Sequence, residues 1–183
     1  MDDVTRLALQ ARDGDREALA ALLGRLQGDI WRYCSAMLGA DQADDAAQDA
    51  MLRILRSIGR YEGSAPARLW AIAIARHTCL DVLRRRYRRR ALLDTVIAEA
   101  RRSSVVAQSE HDWADLVRLL EHLDAERREA FVLTQILGWS YAEAAAAASC
   151  PVGTIRSRVA RARADLLELW EESGNRNAAA DDR

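Results

Sequence analysis

Lysine is absent from this 183-residue chain, and all 27 basic residues are arginine. GC-rich coding accounts for that bias as readily as chemistry does, so it excludes nothing by itself. Proline occurs twice, glycine nine times, and no stretch sustains an alternation of apolar and polar residues. No credible strand remains, and with 50% hydrophobic residues the expected class is all-α. The three cysteines, Cys34, Cys79 and Cys150, form no CxxC pair, which argues against a metal site or a disulfide framework and fits reduced thiols. His77, His111 and His122 lack ligand spacing such as HExxH. There is no glycine-rich phosphate loop and no nucleophile beside a base. The enzyme reading is therefore set aside, with no catalytic residue, cofactor or metal expected. The opening MDDVTRLALQARDGD is acidic and has only short apolar runs. Neither a secretory signal nor membrane insertion is expected, and the expected location is cytoplasmic.

Net charge is −1, but its distribution is uneven. Residues 51–90 hold eleven arginines against two acids, and residues 151–170 hold four against two. By contrast, residues 1–50 and 91–150 each carry ten acids and five arginines. Acidic flanks weaken the free binding of a polyanion to the two basic blocks. Such a chain suits binding to DNA only while something else holds it there.

The stretch SYAEAAAAASCPVGTIRSRVARARADLLEL, residues 140–169, reads as a helix-turn-helix. Ser140 with Glu143 three residues on is a capping-box start for a helix over residues 141–148. Ser149 and Cys150 turn the chain, and Pro151 suits the first position of a second helix that carries Thr154 to about Trp170. At 100° per residue, Ile155, Val159, Ala162, Leu166 and Leu169 form one stripe. Arg156, Ser157, Ala160, Arg161 and Ala164 lie on or toward the opposite face, with Arg158 and Arg163 on the flanks. Arginine grips guanine O6 and N7 with both arms, whereas flanking arginines more naturally meet phosphates.

Upstream, helices are expected over residues 3–13, from about Leu19 to Gly28, and over residues 30–38, closed by Gly39. Asp41 is the expected N-cap of the next, in which Ala47, Met51, Ile54 and Ile58 align. A loop, GRYEGSAP, precedes a helix from Ala67 whose apolar residues spread widely round it, as in a helix wedged among neighbours.

DQADDAAQDAMLRILR with RLWAIAIARHTCLDVLRRR resembles the second conserved region of the sigma-70 superfamily, and LTQILGWSYAEAAAAASCPVGTIRSRVARARADLL resembles the fourth. Two motifs in the right order, with only a short linker between, identify the chain as resembling a group IV sigma factor, the extracytoplasmic-function (ECF) type. The resemblance implies two small helical domains joined by a flexible linker. Region 2 would occupy residues 1–90, the linker 91–110, region 4 residues 111–172, and a disordered tail residues 173–183.

The resemblance also implies partners: core RNA polymerase (the β′ clamp helices and the β subunit), promoter DNA and a cognate anti-sigma factor. Asp45, Gln48, Asp49, Leu52 and Arg56 match the polymerase-binding motif. Arg60, Tyr61, Ser64 and Arg68 match the part that captures a flipped base of the minus-10 element, with Trp70 a further candidate for stacking. Arg76, Arg84, Arg85 and Arg86 would follow the backbone of the separated strand. Tyr141, Thr154, Arg156, Ser157, Arg158 and Arg161 would serve the minus-35 element. Some positions depart from the family. Ala65, Pro66 and Ala67 replace a segment often holding serine and phenylalanine, and Thr134, Ala142 and Ala160 stand where relatives can have contacting side chains. Ser149 stands where glycine is common, while Ala144 and Ala148 replace larger aliphatics. A leaner core is expected under the recognition helix, filled by Trp139.

The function so implied is that of a promoter-specificity subunit, which joins the polymerase, reads two elements and helps open the strands. The alternative is a free-standing helix-turn-helix regulator binding a palindrome as a dimer, which leaves the first 90 residues unexplained.

Overall fold

A computed structural model describes the backbone of residues 2–93 and 111–181. The expected linker, apart from its first residues, and the final two residues lie outside the described part. Every regular element among the described residues is helical. The chain parts into two compact units, Met1–Ala114 and Asp115–Arg183.

In the first unit α1 (Asp3–Arg12), α2 (Arg16–Leu38), α3 (Ala40–Ser57) and α4 (Ala67–Leu93) pack around one core, with a 3₁₀ turn, Ile58–Arg60, after α3. Asp15 starts α2 by accepting from the Glu17 and Ala18 N–H groups at 2.9 and 3.0 Å. The two helices expected on either side of Gly28 are in fact one. Gly24 and Gly28 sit inside α2 at about 1 kcal/mol each relative to alanine. Leu22, Leu26, Ile30 and Tyr33 are all buried along its length, and burial contributes about 1.5–3 kcal/mol for each large aliphatic side chain. The packing term wins, so the helix runs through both glycines.

Gly39, at φ 86°, turns the chain into α3 and occupies the N-cap expected of Asp41. Asp41 instead lies in the first turn, where its charge suits the helix dipole. The buried side of α3 is Ala43, Ala46, Ala47, Ala50 and Ile54, with Met51 only half-buried. Small residues let its neighbours approach closely. On α4 the buried side chains are Ala71, Ile72, Ala75, Thr78 and Cys79, while Leu69, Trp70 and Ile74 are half-buried around them.

In the second unit α6 (Ala125–Phe131) and α7 (Tyr141–Ala148) both pack on α8 (Val152–Asp181). They follow α5 (His111–Leu120), which buries Val117 and Leu120. A π turn, Val132–Ile136, extends α6 and buries Val132, Leu133 and Thr134. The capping box forms as the residue types dictate. Glu143 N–H donates to Ser140 Oγ at 3.2 Å, and Ser140 N–H donates to Glu143 Oε2 at 2.8 Å. Ser149 closes α7 at φ 53°, the left-handed conformation for which glycine is the usual residue. Trp139 is buried, as are Ala144 and Ala145.

Two helix ends differ from expectation. Pro151 precedes α8 by one residue, with its carbonyl accepting from Thr154 N–H at 2.9 Å and Ile155 N–H at 3.3 Å. The helix also continues to Asp181, through most of the stretch expected to be a disordered tail. Extending a formed helix fixes one residue per new hydrogen bond, and alanines 178–180 have the strongest helix propensity.

Candidate nucleic-acid and polymerase interfaces

On α8 the buried side chains are Ile155, Val159 and Ala162, with Leu166 half-buried. Docking by that stripe turns Arg156, Ser157, Ala160 and Arg161 out to solvent. Among the described residues neither Arg156 nor Arg161 has a hydrogen bond or ion pair. Their guanidinium groups can therefore meet a groove or phosphate without first giving up a protein partner. Ser157 Oγ donates back to Thr154 O at 2.9 Å, and Tyr141 is exposed at the start of α7.

The flanking arginines are structural. Arg158, a minus-35 candidate, is mostly covered and paired with Glu126 on α6, with a second contact to Cys150 Sγ at 3.5 Å. In this arrangement it spans α6 and α8, with its charge matched by Glu126. Arg163 donates to Gln135 Oε1 at 2.5 Å. Arg127 pairs with Asp165 at 2.6 Å and Asp124 at 2.8 Å, and the hydrogen bond to Asp165 is the main reason its pKa is raised. Thr134 is buried and donates to Ala130 O at 2.8 Å, so it faces the core.

In the first unit Asp45, Gln48, Leu52 and Arg56 lie along one exposed stripe of α3, at spacings of three, four and four. Asp49 lies beside them, half-buried, and binds Arg53 at 2.9 Å. Leu55, not among the expected residues, is exposed next to Leu52. Two neighbouring leucines left in water are a signal that their spacing could have supplied.

The loop from Arg60 to Ala67 is built on its inner side. Tyr61 is buried, its ring 5.0 Å from that of Trp70, and its hydroxyl donates to Ala65 O at 2.5 Å. Burial pushes the Tyr61 phenol pKa up. Tyr61 thus anchors the loop, with its polar atom engaged inside. Arg60 and Ser64 are exposed. Arg68 donates from Nε and Nη2 to Asp29 Oδ2 at 3.0 and 2.6 Å, which leaves part of its fork for a guest.

Trp70 is half-buried and, with Ile74, His77, Arg53 and Ser57, lines an open groove between α4 and α3. Spacings of four and three on α4, and four on α3, place these side chains together. His77 Nδ1 lies 2.7 Å from Ala73 O, so that nitrogen carries a proton. Arg84 and Arg85 engage Asp81, through its carboxylate at 3.8 Å and its carbonyl at 3.2 Å, whereas Arg86 is exposed. Arg76 is half-buried. Among the described residues no three His, Cys, Asp or Glu side chains gather as a metal would need. None of the described helices is long and apolar enough to cross a membrane.

Comparison with known proteins identifies the family. The family model described as Sigma-70 region 2 matches residues 22–89, and that described as Sigma-70, region 4 matches residues 113–166. The chain is similar to the ECF RNA polymerase sigma factor SigC of Mycobacterium tuberculosis, at 41% identity over 169 residues, covering 90% of this chain and 89% of that one. It is 35% identical to SigM of the same species over 158 residues, covering 85% and 79%. Among solved structures it is similar to CnrH, determined in complex with the cytosolic domain of CnrY, with TM-score 0.73, 27% identity and coverage of 93% and 99%. It is also similar to the sigma factor RpoE from Bartonella quintana, determined with the anti-sigma factor NepR, with TM-score 0.68, 29% identity and coverage of 85% and 96%.

Proposed function

The chain belongs to the ECF group of sigma-70 RNA polymerase sigma factors, and from that premise we propose how its parts divide the work. It binds core RNA polymerase and directs it to promoters. Sigma factors are non-catalytic regulators of transcription, and this one contributes recognition and strand separation without bond chemistry of its own. The exposed stripe of α3, Asp45, Gln48, Leu52 and Arg56, with Leu55 beside it, docks on the β′ clamp helices. Asp49 supports that face through Arg53.

Arg60 and Ser64 face the flipped base of the minus-10 element, with Arg68 at the loop's edge and Trp70 in the adjoining groove. Extruding a base costs a few kcal/mol, and a prebuilt loop offsets that by holding the polar groups in place. Arg76 and the Arg84–Arg86 run follow the separated strand. Tyr141, Thr154, Arg156, Ser157 and Arg161 read the minus-35 duplex, a role that rests above all on the two exposed arginines of α8 that have no partner among the described residues. A cognate anti-sigma factor covers these surfaces when the factor is silent, a reading supported by the similar RpoE structure determined with the anti-sigma factor NepR. The protein works in the cytoplasm, where polymerase and promoter are.

Run-off transcription from a genome fragment library tests this reading. The arms are core polymerase alone, core with the protein, and core with the Arg156→Ala/Arg161→Ala variant. Discrete start sites that need the protein and fade in the variant are expected. Binding of duplex DNA by the protein unaided, with no start sites, would instead favour a free-standing regulator.

A further inference from the structure

We propose that α1, which lies outside the region 2 match at residues 22–89, is the buttress of the minus-10 loop, and that Thr5 is the positioning residue through which it acts. This rests on the reading of residues 60–67 as that loop. Thr5 is buried, and its Oγ1 accepts from the Ala67 N–H at 3.0 Å, across 62 residues of sequence. Ala67 begins α4, so its amide is one of the donors that a helix start leaves without an intrahelical partner. A threonine on one helix thus caps another.

The direction of that cap is set by Asp2. Its Oδ2 accepts the Thr5 hydroxyl proton at 2.6 Å, which leaves the oxygen's lone pairs for the Ala67 amide. Its Oδ1 accepts Thr5 N–H at 2.9 Å, so one carboxylate both starts α1 and aims the hydroxyl. Within the loop, the Tyr61 hydroxyl donates to Ala65 O at 2.5 Å. Farther along α1, Leu9 lies under Gly63. A Cβ there would stand 3.2 Å from Leu9 Cδ2, and φ is +76°, so this position suits glycine on both counts. Four points of the loop, at Tyr61, Gly63, Ala65 and Ala67, are therefore tied to α1 or to one another. Arg60, Glu62 and Ser64 face out. Such bracing holds outward groups in one geometry before the base arrives.

The test uses the full chain bound to core polymerase and a promoter pool randomised across the minus-10 element. Thr5→Val keeps the shape and removes both hydrogen-bonding roles. It should reduce discrimination among minus-10 bases about threefold to tenfold, the range set by one ordinary hydrogen bond. Polymerase affinity and minus-35 duplex affinity should stay within about twofold in the same variant. Hydrogen exchange of the Ala67 amide should accelerate while core amides of α2 and α3 keep their protection. Thr5→Ser should restore both readouts.

Should Thr5→Val fail to fold, Asp2→Asn carries the test, since it keeps an acceptor for the α1 cap and loses the acceptor for the hydroxyl; unchanged base discrimination there overturns the proposal. Ser64→Ala and Arg60→Ala run alongside. If they shift base preference and Thr5→Val does not, the buttress is wrong and the loop reading stands. If none of them shifts it, the loop reading itself fails.

Discussion

The arginines of the two units are used differently. In Asp115–Arg183, Arg156 and Arg161 point away from the core with no partner among the described residues, while Arg127 on α6 is tied to Asp165 of α8, Arg158 to Glu126 of α6 and Arg163 to Gln135 of the π turn. In Met1–Ala114 three of the arginines around the loop and groove are held by carboxylates, Arg68 by Asp29, Arg53 by Asp49 and Asp81, and Arg84 by Asp81, while Arg60 stays exposed. A duplex carries its phosphates before any encounter, so cations left in water can act at first contact. A flipped base exists only after unstacking, and gains most from a site already held rigid. Free charge thus suits the duplex reader, and braced charge suits the strand opener.

The strongest test of that contrast is to remove the free charges. Arg156→Ala/Arg161→Ala should lower affinity for a minus-35 duplex by about 2–6 kcal/mol in total, if each arginine contributes about 1–3 kcal/mol. Fluorescence anisotropy across a salt series should also show a shallower slope, by about one for each arginine that meets a phosphate. An unchanged affinity would mean that exposure on α8 is only solvation.

A smaller effect is expected from Asp29→Ala. The ion pair is only partly shielded, with Arg68 43% and Asp29 17% exposed, so its loss should cost about 1 kcal/mol in urea unfolding of the first unit. Loss of the brace on Arg68 should lower affinity for minus-10 single strands, about twofold to tenfold for one hydrogen-bonded pair. Unchanged or raised affinity would show that Arg68 needs no brace to bind.

The smallest effect belongs to Arg158→Met. Its partner Glu126 is exposed, so stability should fall by only about 0.5 kcal/mol, and minus-35 affinity should stay within about twofold. A loss comparable to that of Arg156→Ala would return Arg158 to the DNA face and blur the distinction.

Much of this was legible in residue order because it is local. The Ser140 and Glu143 capping box, the apolar stripe of α8 and the positions thrown to its far side depend on helical periodicity alone. The same reasoning failed at Gly28, where local propensity suggested a stop and burial of Leu26, Ile30 and Tyr33 carried the helix through. It also could not sort arginines that look alike in sequence. Arg156 and Arg158 are two residues apart in one basic run, and only the arrival of Glu126 from α6 separates their roles. Tyr61 followed the same pattern, being a polar aromatic in a loop whose hydroxyl turned inward.

Taken alone, the residue order determined the helical class, the two basic blocks and the faces of individual helices, since each follows from neighbours within a turn or two. Tertiary structure decided which charges remain available and what supports the loop. Those outcomes depend on groups brought together from distant parts of the chain, such as Thr5 with Ala67, Asp29 with Arg68 and Glu126 with Arg158. Their energies arise only once packing has excluded water and fixed the partners, so no local pattern announces them.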